Sequence, residues 1–267
     1  LACLPVKSGI MIVTEKRILA LIMALFILLG LTYALVTPVF EASDELWHYP
    51  MVHHFADGNP LPVQVFEPEL AGPWKQEASQ PPLYYLAGAI LVSGIDLSDA
   101  EALLWRNPQA NIGDPLNPGN KNVYIHPPAQ DAPWRGTVLA VHVLRFFSLG
   151  LGAATVLLAW RIVRWVWPGQ SALALSIAGA VAFVPQFLFV TASVNNDNAM
   201  TCLGTLALYL LLRRLREGTE GREIAGVRYS SHRIPDQCHI GRIQPALNIS
   251  SNGAPFFYYF NYWQIGI

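Results

Sequence analysis

The chain has 267 residues, 53% of them hydrophobic and only 13% charged, with a formal net charge of −1. Soluble domains carry about 25% charged residues, so the deficit and a mean hydropathy of +0.34 point to a chain solvated largely by lipid. Near-neutral charge excludes a basic field for nucleic acid. Three scattered cysteines, Cys3, Cys202 and Cys238, exclude a disulfide framework and a cysteine metal site.

In chain order, residues 1–17 form a short segment ending in Lys16 and Arg17, and Met11 is a candidate start. Crossing a bilayer takes roughly 20 apolar residues in a helix. The run from Ile18 to Val36 meets this without a charge, so a first span is expected at 18–37. It lacks a small-residue cleavage site and reads as a retained anchor. Further spans are expected at 137–160, which carries His142 and Arg145, at 171–192, and at 198–212. Pro185 should kink the third of these, because proline removes a helix hydrogen bond. The apolar stretch Leu83–Gly94 is too short to cross and is expected in the interface or as a re-entrant segment.

Charge sets the direction. Lys7, Lys16 and Arg17 precede the first span, Arg161 and Arg164 follow the second, and Arg213, Arg214 and Arg216 follow the fourth. Four spans put all of these on one side, as the positive-inside rule requires, with the N-terminus cytoplasmic. The expected fold is therefore an all-α polytopic membrane protein. It has about four transmembrane helices, a large extracytoplasmic loop at 38–136 with short juxtamembrane helices, and a cytoplasmic tail at 213–267.

The loop holds twelve acids against four bases and 14 of the 20 prolines. Loops beyond about 15 residues usually carry function or are disordered. Recurrent aromatics, among them Trp47, Trp74, Tyr84, Tyr85, Trp105 and Trp134, argue for order. Just outside the first span the chain reads Phe40-Glu-Ala-Ser-Asp-Glu-Leu-Trp-His48. With Ser43 as a cap, one helical turn sets Asp44 and His48 on one face beside Glu45. A carboxylate at the lipid–water boundary suits general-base work, although from spacing alone a solvated acidic cap ending a transmembrane helix is the favoured reading. Arg145 and His142 lie within a span, where an ionisable group usually faces a partner or a polar cavity; snorkelling of Arg145 to the interface is the plainer reading. A third polar cluster, Ser193-Val-Asn-Asn-Asp-Asn198, separates two spans.

Together these pieces resemble the GT-C membrane glycosyltransferases, specifically bacterial relatives of protein O-mannosyltransferases and lipid A aminoarabinose transferases. The matching residues are Asp44, Glu45 and His48 after the first span, then Gln80-Pro-Pro-Leu-Tyr-Tyr85, then Asn120-Lys-Asn-Val-Tyr-Ile-His126 with Pro133-Trp-Arg-Gly136. His142-Val-Leu-Arg145 leading into Ser148–Val156, Pro185-Gln-Phe-Leu-Phe189 and Ser193-Val-Asn-Asn-Asp197 complete the pattern. The resemblance covers roughly Ile18 to Arg216. It implies sugar transfer from a polyprenyl-phosphate donor to a hydroxyl acceptor on the outer face of the bacterial cytoplasmic membrane.

In that reading Asp44 is the base, with Glu45 or His48 orienting it. Arg145, His142 and Lys121 are candidates for the phosphate. Gln80 stands where some relatives carry a phosphate-binding lysine, and Asp197 where they carry a second acid for acceptor or metal. The cluster of Asp44, Glu45 and His48 leaves room for a divalent ion. The alternative is a non-catalytic membrane protein that binds or moves a polyprenyl lipid. Family members run to about twice this length, and the pattern stops after Arg216. The mixed tail, with its aromatic cluster Phe256–Phe260, is expected to mark a truncation or frameshift.

Overall fold

The computed structural model describes residues 8–65, 67, 70–110, 116 and 118–223. The expectations for the tail beyond residue 223, including its aromatic cluster, and for Cys3, Lys7 and Cys238 lie outside the described residues. Among the described residues the fold is helical, with no strand and one isolated antiparallel bridge between Arg106 and Tyr124. Seven α-helices are described: α1 (Ser8–Val36), α2 (Glu45–Ala56), α3 (Leu83–Val92), α4 (Gly136–Val166), α5 (Ser171–Ala182), α6 (Pro185–Thr191) and α7 (Asp197–Glu223).

Two helices are long and apolar enough to cross a membrane: α1 over Thr14–Val36, and α4. A third candidate exists if α5 and α6, bent by 63° at their junction, act as one broken span. The expected kink in this region is thus a full break. Pro185 has no N–H to continue α5, so it opens α6 at the first helical position, where none is needed. The outer surface of α1 carries Leu21, Leu25, Leu28 and Leu35 exposed, as a lipid-facing helix would. In α7 the uncharged run from Ala199 ends at Arg213, about 21 Å of helix at 1.5 Å per residue. The ten apolar residues of α3 reach about 15 Å, half of a bilayer core.

α4 is the organising element. It packs against α1, α3, α5 and α6. Its first half joins α2 and α3 in one core, built on Tyr49, Val52, Tyr84, Tyr85, Val141 and Leu144. Its second half joins α1, α5 and α6 in another, built on Phe26, Leu149, Val156, Ala178 and Leu188. Close approach requires Gly152, because a Cβ there would lie 2.5 Å from the Thr191 methyl of α6. The start of α4 depends on Gly136, whose φ of +54° suits glycine. There the Asp99 carboxylate accepts the Thr137 amide at 2.8 Å, tying the loop to the helix terminus.

Candidate functional site

The site lies where α1 gives way to α2. Pro38 disfavours helix at the residue before it, so α1 stops at Val36. The chain then turns sharply, with Phe40 and Asp44 both left-handed, at φ 65° and 60°. Such values are uncommon outside glycine and are held by surrounding contacts. At Phe40 the contact is its amide donating to Glu45 Oε2 at 3.0 Å.

The Arg145 guanidinium is fully buried and spends its five N–H donors inward. Nε and Nη2 form a two-pronged pair with the Glu45 carboxylate, at 2.8 and 2.6 Å. Nη1 donates to the carbonyls of Ala34 and Thr37 at 2.8 and 2.6 Å, and Nη2 also donates to Pro38 at 2.9 Å. Glu45 is equally complete, accepting from the amides of Phe40 and Val194 at 3.0 Å each. One ion pair therefore locks the end of α1, the start of α2, the middle of α4 and the turn before α7. A planar five-donor fork is what this geometry requires.

Glu45 and Arg145 thus pair with each other. The sequence signal for Arg145 was sound, since an intramembrane cation had to have a partner. Its partner is a carboxylate 100 residues away, and no donor is left over for a phosphate.

Asp44 occupies a different place. It is the N-cap residue of α2, makes no side-chain capping bond, and is exposed. The expected cap at Ser43 is displaced by one residue, and Asp44 sits at the helix start instead of inside its first turn. His48, one turn on, is buried and places Nδ1 2.8 Å from the Tyr85 hydroxyl of α3. Burial lowers its pKa to about 4, so it is neutral.

The residue that sequence reasoning missed is Glu77, in the short 3₁₀ turn Lys75–Ser79. It is 3% exposed. Its Oε2 lies 3.4 Å from the Tyr85 hydroxyl and 3.5 Å from His48 Nδ1. Desolvation raises its pKa to about 7, helped by the charges of Asp44 and Asp197 and opposed by the Tyr85 bond. The sole sequence clue was its position three residues before Gln80-Pro-Pro.

The remaining candidates fall as follows. Gln80 Oε1 accepts from the buried Asn196 amide at 3.4 Å, joining the Pro-Pro element to the polar turn before α7. That turn is built, not merely solvated: the Asn195 amide donates to Tyr84 Oη at 3.2 Å, and Asp197 N to Asn195 Oδ1 at 2.8 Å. Asp197 opens α7 and is exposed. His142 is buried, donates from Nδ1 to the Val138 carbonyl at 2.8 Å, and stacks on Trp134 at 3.8 Å between ring centroids. It anchors the end of the loop. Lys121 is exposed on the 120–126 stretch.

That stretch is clasped by Glu41, another residue the sequence did not single out. Its carboxylate accepts the amides of Val123 and Tyr124 at 2.9 and 2.8 Å and meets His126 Nε2 at 3.0 Å. Beside this clasp a groove of about 550 Å³ is lined by Asn107, Gln109, Asn120, Ile125 and His126.

Among the described residues no group of three or more His, Cys, Asp or Glu side chains is placed to hold a metal ion. The set of Asp44, Glu45 and His48 is split, because Arg145 takes Glu45 and Tyr85 takes His48 Nδ1. The chemistry the arrangement offers is proton exchange within one cluster of a buried acid, a neutral imidazole and a phenol, while Asp44 stands exposed at the start of α2. No family model, curated protein or solved structure matches the chain.

Proposed function

We propose that the chain is an integral membrane glycosyltransferase of the GT-C kind. It transfers a sugar from a polyprenyl-phosphate donor to a hydroxyl acceptor on the face of the membrane that carries the loop. In this reading α1, α4, the α5–α6 pair and the uncharged part of α7 are four spans, and the basic ends face the cytoplasm. Residues 38–136 then lie outside, in the bacterial cell envelope.

The observation that carries the proposal is the contrast within the acidic pair. Glu45 is held by Arg145, while the neighbouring Asp44 is exposed and its side chain makes no bond at the helix cap. A carboxylate fixed on a rigid frame suits removal of the proton from an attacking hydroxyl, a contribution of about 10²–10⁴-fold. Arg145 acts through the frame. For the donor phosphate Gln80 and Lys121 are the candidates, with His142 more remote from that role because of its stacking on Trp134.

The test uses the full chain in liposomes with radiolabelled mannosyl undecaprenyl phosphate and a cell-envelope extract as acceptor. Asp44→Asn should cut transfer by about 10²-fold or more while leaving thermal stability within about 1 kcal/mol, because the side chain caps nothing. Unchanged transfer in Asp44→Asn would sink the general-base role. A second reading, a non-catalytic protein that binds or moves the lipid, draws support from the full commitment of Arg145 to Glu45. Saturable lipid binding without transfer by the unaltered chain would favour it.

A further inference from the structure

A second groove, of about 450 Å³, opens where α4 ends, at the end of the bundle remote from α2 and α3. It is lined by Trp165, Val166 and Pro168 on one side and by Leu212, Leu215 and Arg216 of α7 on the other. The α7 residues share a face because they stand three and four positions apart. Arg216 bridges the two helices. Its Nη1 donates to the Trp165 carbonyl at 2.8 Å, and the guanidinium carbon lies 5.2 Å from the centre of the Trp165 ring. A cation over an indole face is held by the negative face of the ring. The Trp165 indole N–H, by contrast, is covered and has no acceptor among the described residues.

The groove has two chemical halves. Val166 and Leu215, 40% and 60% exposed, offer apolar surface where the apolar runs of α4 and α7 end. Arg216 is exposed and supplies a cation. Arg214 adds charge on the same turn, while the Glu217 carboxylate is taken by Arg213 Nε at 2.7 Å. Because α4 is long and apolar enough to cross a membrane, its last turn marks the boundary between hydrocarbon and headgroups. A ligand that matches both halves carries an acyl chain and an anionic headgroup. Sorting of positive charge explains why arginines gather at this end. It asks only that they reach water, and does not ask one of them to fold back over a tryptophan in a groove lined by leucines.

We propose that this groove binds an anionic phospholipid from the leaflet at the basic end of the bundle. The phosphate meets the Arg216 guanidinium, and an acyl chain lies along Leu212, Leu215 and Val166. Guanidinium and phosphate pair through charge-assisted hydrogen bonds, and basic pockets between spanning helices take acidic headgroups. A turn of the Trp165 ring would bring its N–H to a headgroup oxygen in the groove it lines, the usual arrangement for an interfacial tryptophan. The bound lipid fastens the end of α4 to α7. This role is independent of the transferase reading.

Native mass spectrometry of the full chain, released from detergent with phosphatidylglycerol and phosphatidylcholine of matched acyl chains, reads the bound lipid by its mass. Phosphatidylglycerol should be retained preferentially. Arg216→Gln should weaken that retention about fivefold, the ratio for one basic contact at an anionic surface. Trp165→Phe keeps a ring under the guanidinium, removes the N–H, and should weaken it by a smaller factor. Arg214→Gln removes the same charge from the same turn outside the groove, and retention should stay near that of the unaltered chain. Equal retention of the two lipids, or retention that Arg216→Gln leaves unmoved, overturns the proposal. So does an Arg214→Gln loss as large as that of Arg216→Gln, the mark of a diffuse basic surface. Excess inorganic phosphate should displace little lipid, because it leaves the apolar half unfilled; complete displacement overturns the lipid assignment. A dimer that Arg216→Gln splits would give the groove to a second copy and overturn it as well.

Discussion

The bundle holds an acid–arginine pair at each end, and the two differ in how completely protein replaces water. At the loop end Glu45 and Arg145 are both 0% exposed, and every donor and acceptor finds a protein partner. At the basic end Glu15 of α1 meets Arg164 Nε of α4 at 3.1 Å. There Glu15 is 6% exposed and Arg164 is 28% exposed. Glu15 also accepts from Trp160 Nε1 at 3.2 Å and from the Ser171 hydroxyl of α5 at 2.7 Å, while Arg164 turns to the Pro168 carbonyl. Both pairs tie α1 to α4. The difference is that the first is a closed knot whose members cannot move or rehydrate independently, whereas the second is a clamp at a wet boundary.

Removing one member of the closed knot should therefore have the largest effect. Arg145→Leu leaves Glu45 charged and buried and strands the carbonyls of Ala34, Thr37 and Pro38. Breaking a buried pair in this way costs about 3–5 kcal/mol, a large fraction of the stability of most folds. The expected result is loss of the folded chain from detergent extracts. Arg145→Lys should not restore it, because a single ammonium cannot serve two carboxylate oxygens and three carbonyls in one plane. A melting temperature close to that of the unaltered chain in either variant would show the knot to be dispensable.

The next effect belongs to the loop end too, but to its outer layer. Glu41→Ala deletes an acceptor for the Val123 and Tyr124 amides and for His126. Charge-assisted hydrogen bonds contribute about 1.5–3 kcal/mol each when buried; this carboxylate is 10% exposed, so about 2 kcal/mol in total is expected. The loss should be local: faster hydrogen exchange at Val123 and Tyr124, with α1 and α4 unaffected. Exchange that rises equally in α4 would mean that clasp and knot open as one unit.

Much of this architecture is legible in the residues, and the misreadings share a cause. The uncharged run before Val36 and the apolar run after Gly136 appear as α1 and α4, because length and hydropathy are local properties. Pro185 marked the right place, but whether a proline bends or breaks a helix depends on what surrounds Phe183 and Val184. Arg145 was visible as an anomaly, yet nothing local names a partner at position 45. In the acidic pair, Asp44 is left-handed and exposed while Glu45 turns inward to Arg145, a division that only the tertiary contact reveals. Glu77 carried almost no signal: an acid in a proline-rich loop looks solvated until α2 and α3 close over it. The tertiary contacts that bury a polar group are the part a one-dimensional reading cannot supply.

The smallest predicted effect tests the other half of the comparison. Glu15→Gln keeps an oxygen for Trp160 Nε1 and offers an amide to the Ser171 hydroxyl, which can accept as well as donate. What is lost is the charge facing Arg164, and that guanidinium already reaches water. Ion pairs at a solvated boundary contribute about 0–1 kcal/mol, so the melting temperature should drop by no more than a few degrees. The remaining difference should shrink further in high salt, because exposed charges are screened within about 3 Å at 1 M. A cost near that of Arg145→Leu, insensitive to salt, would place the Glu15 pair in the same desolvated class and erase the distinction between the two ends. A small, salt-sensitive cost keeps it, and makes the loop end the single rigid frame on which Asp44 is carried.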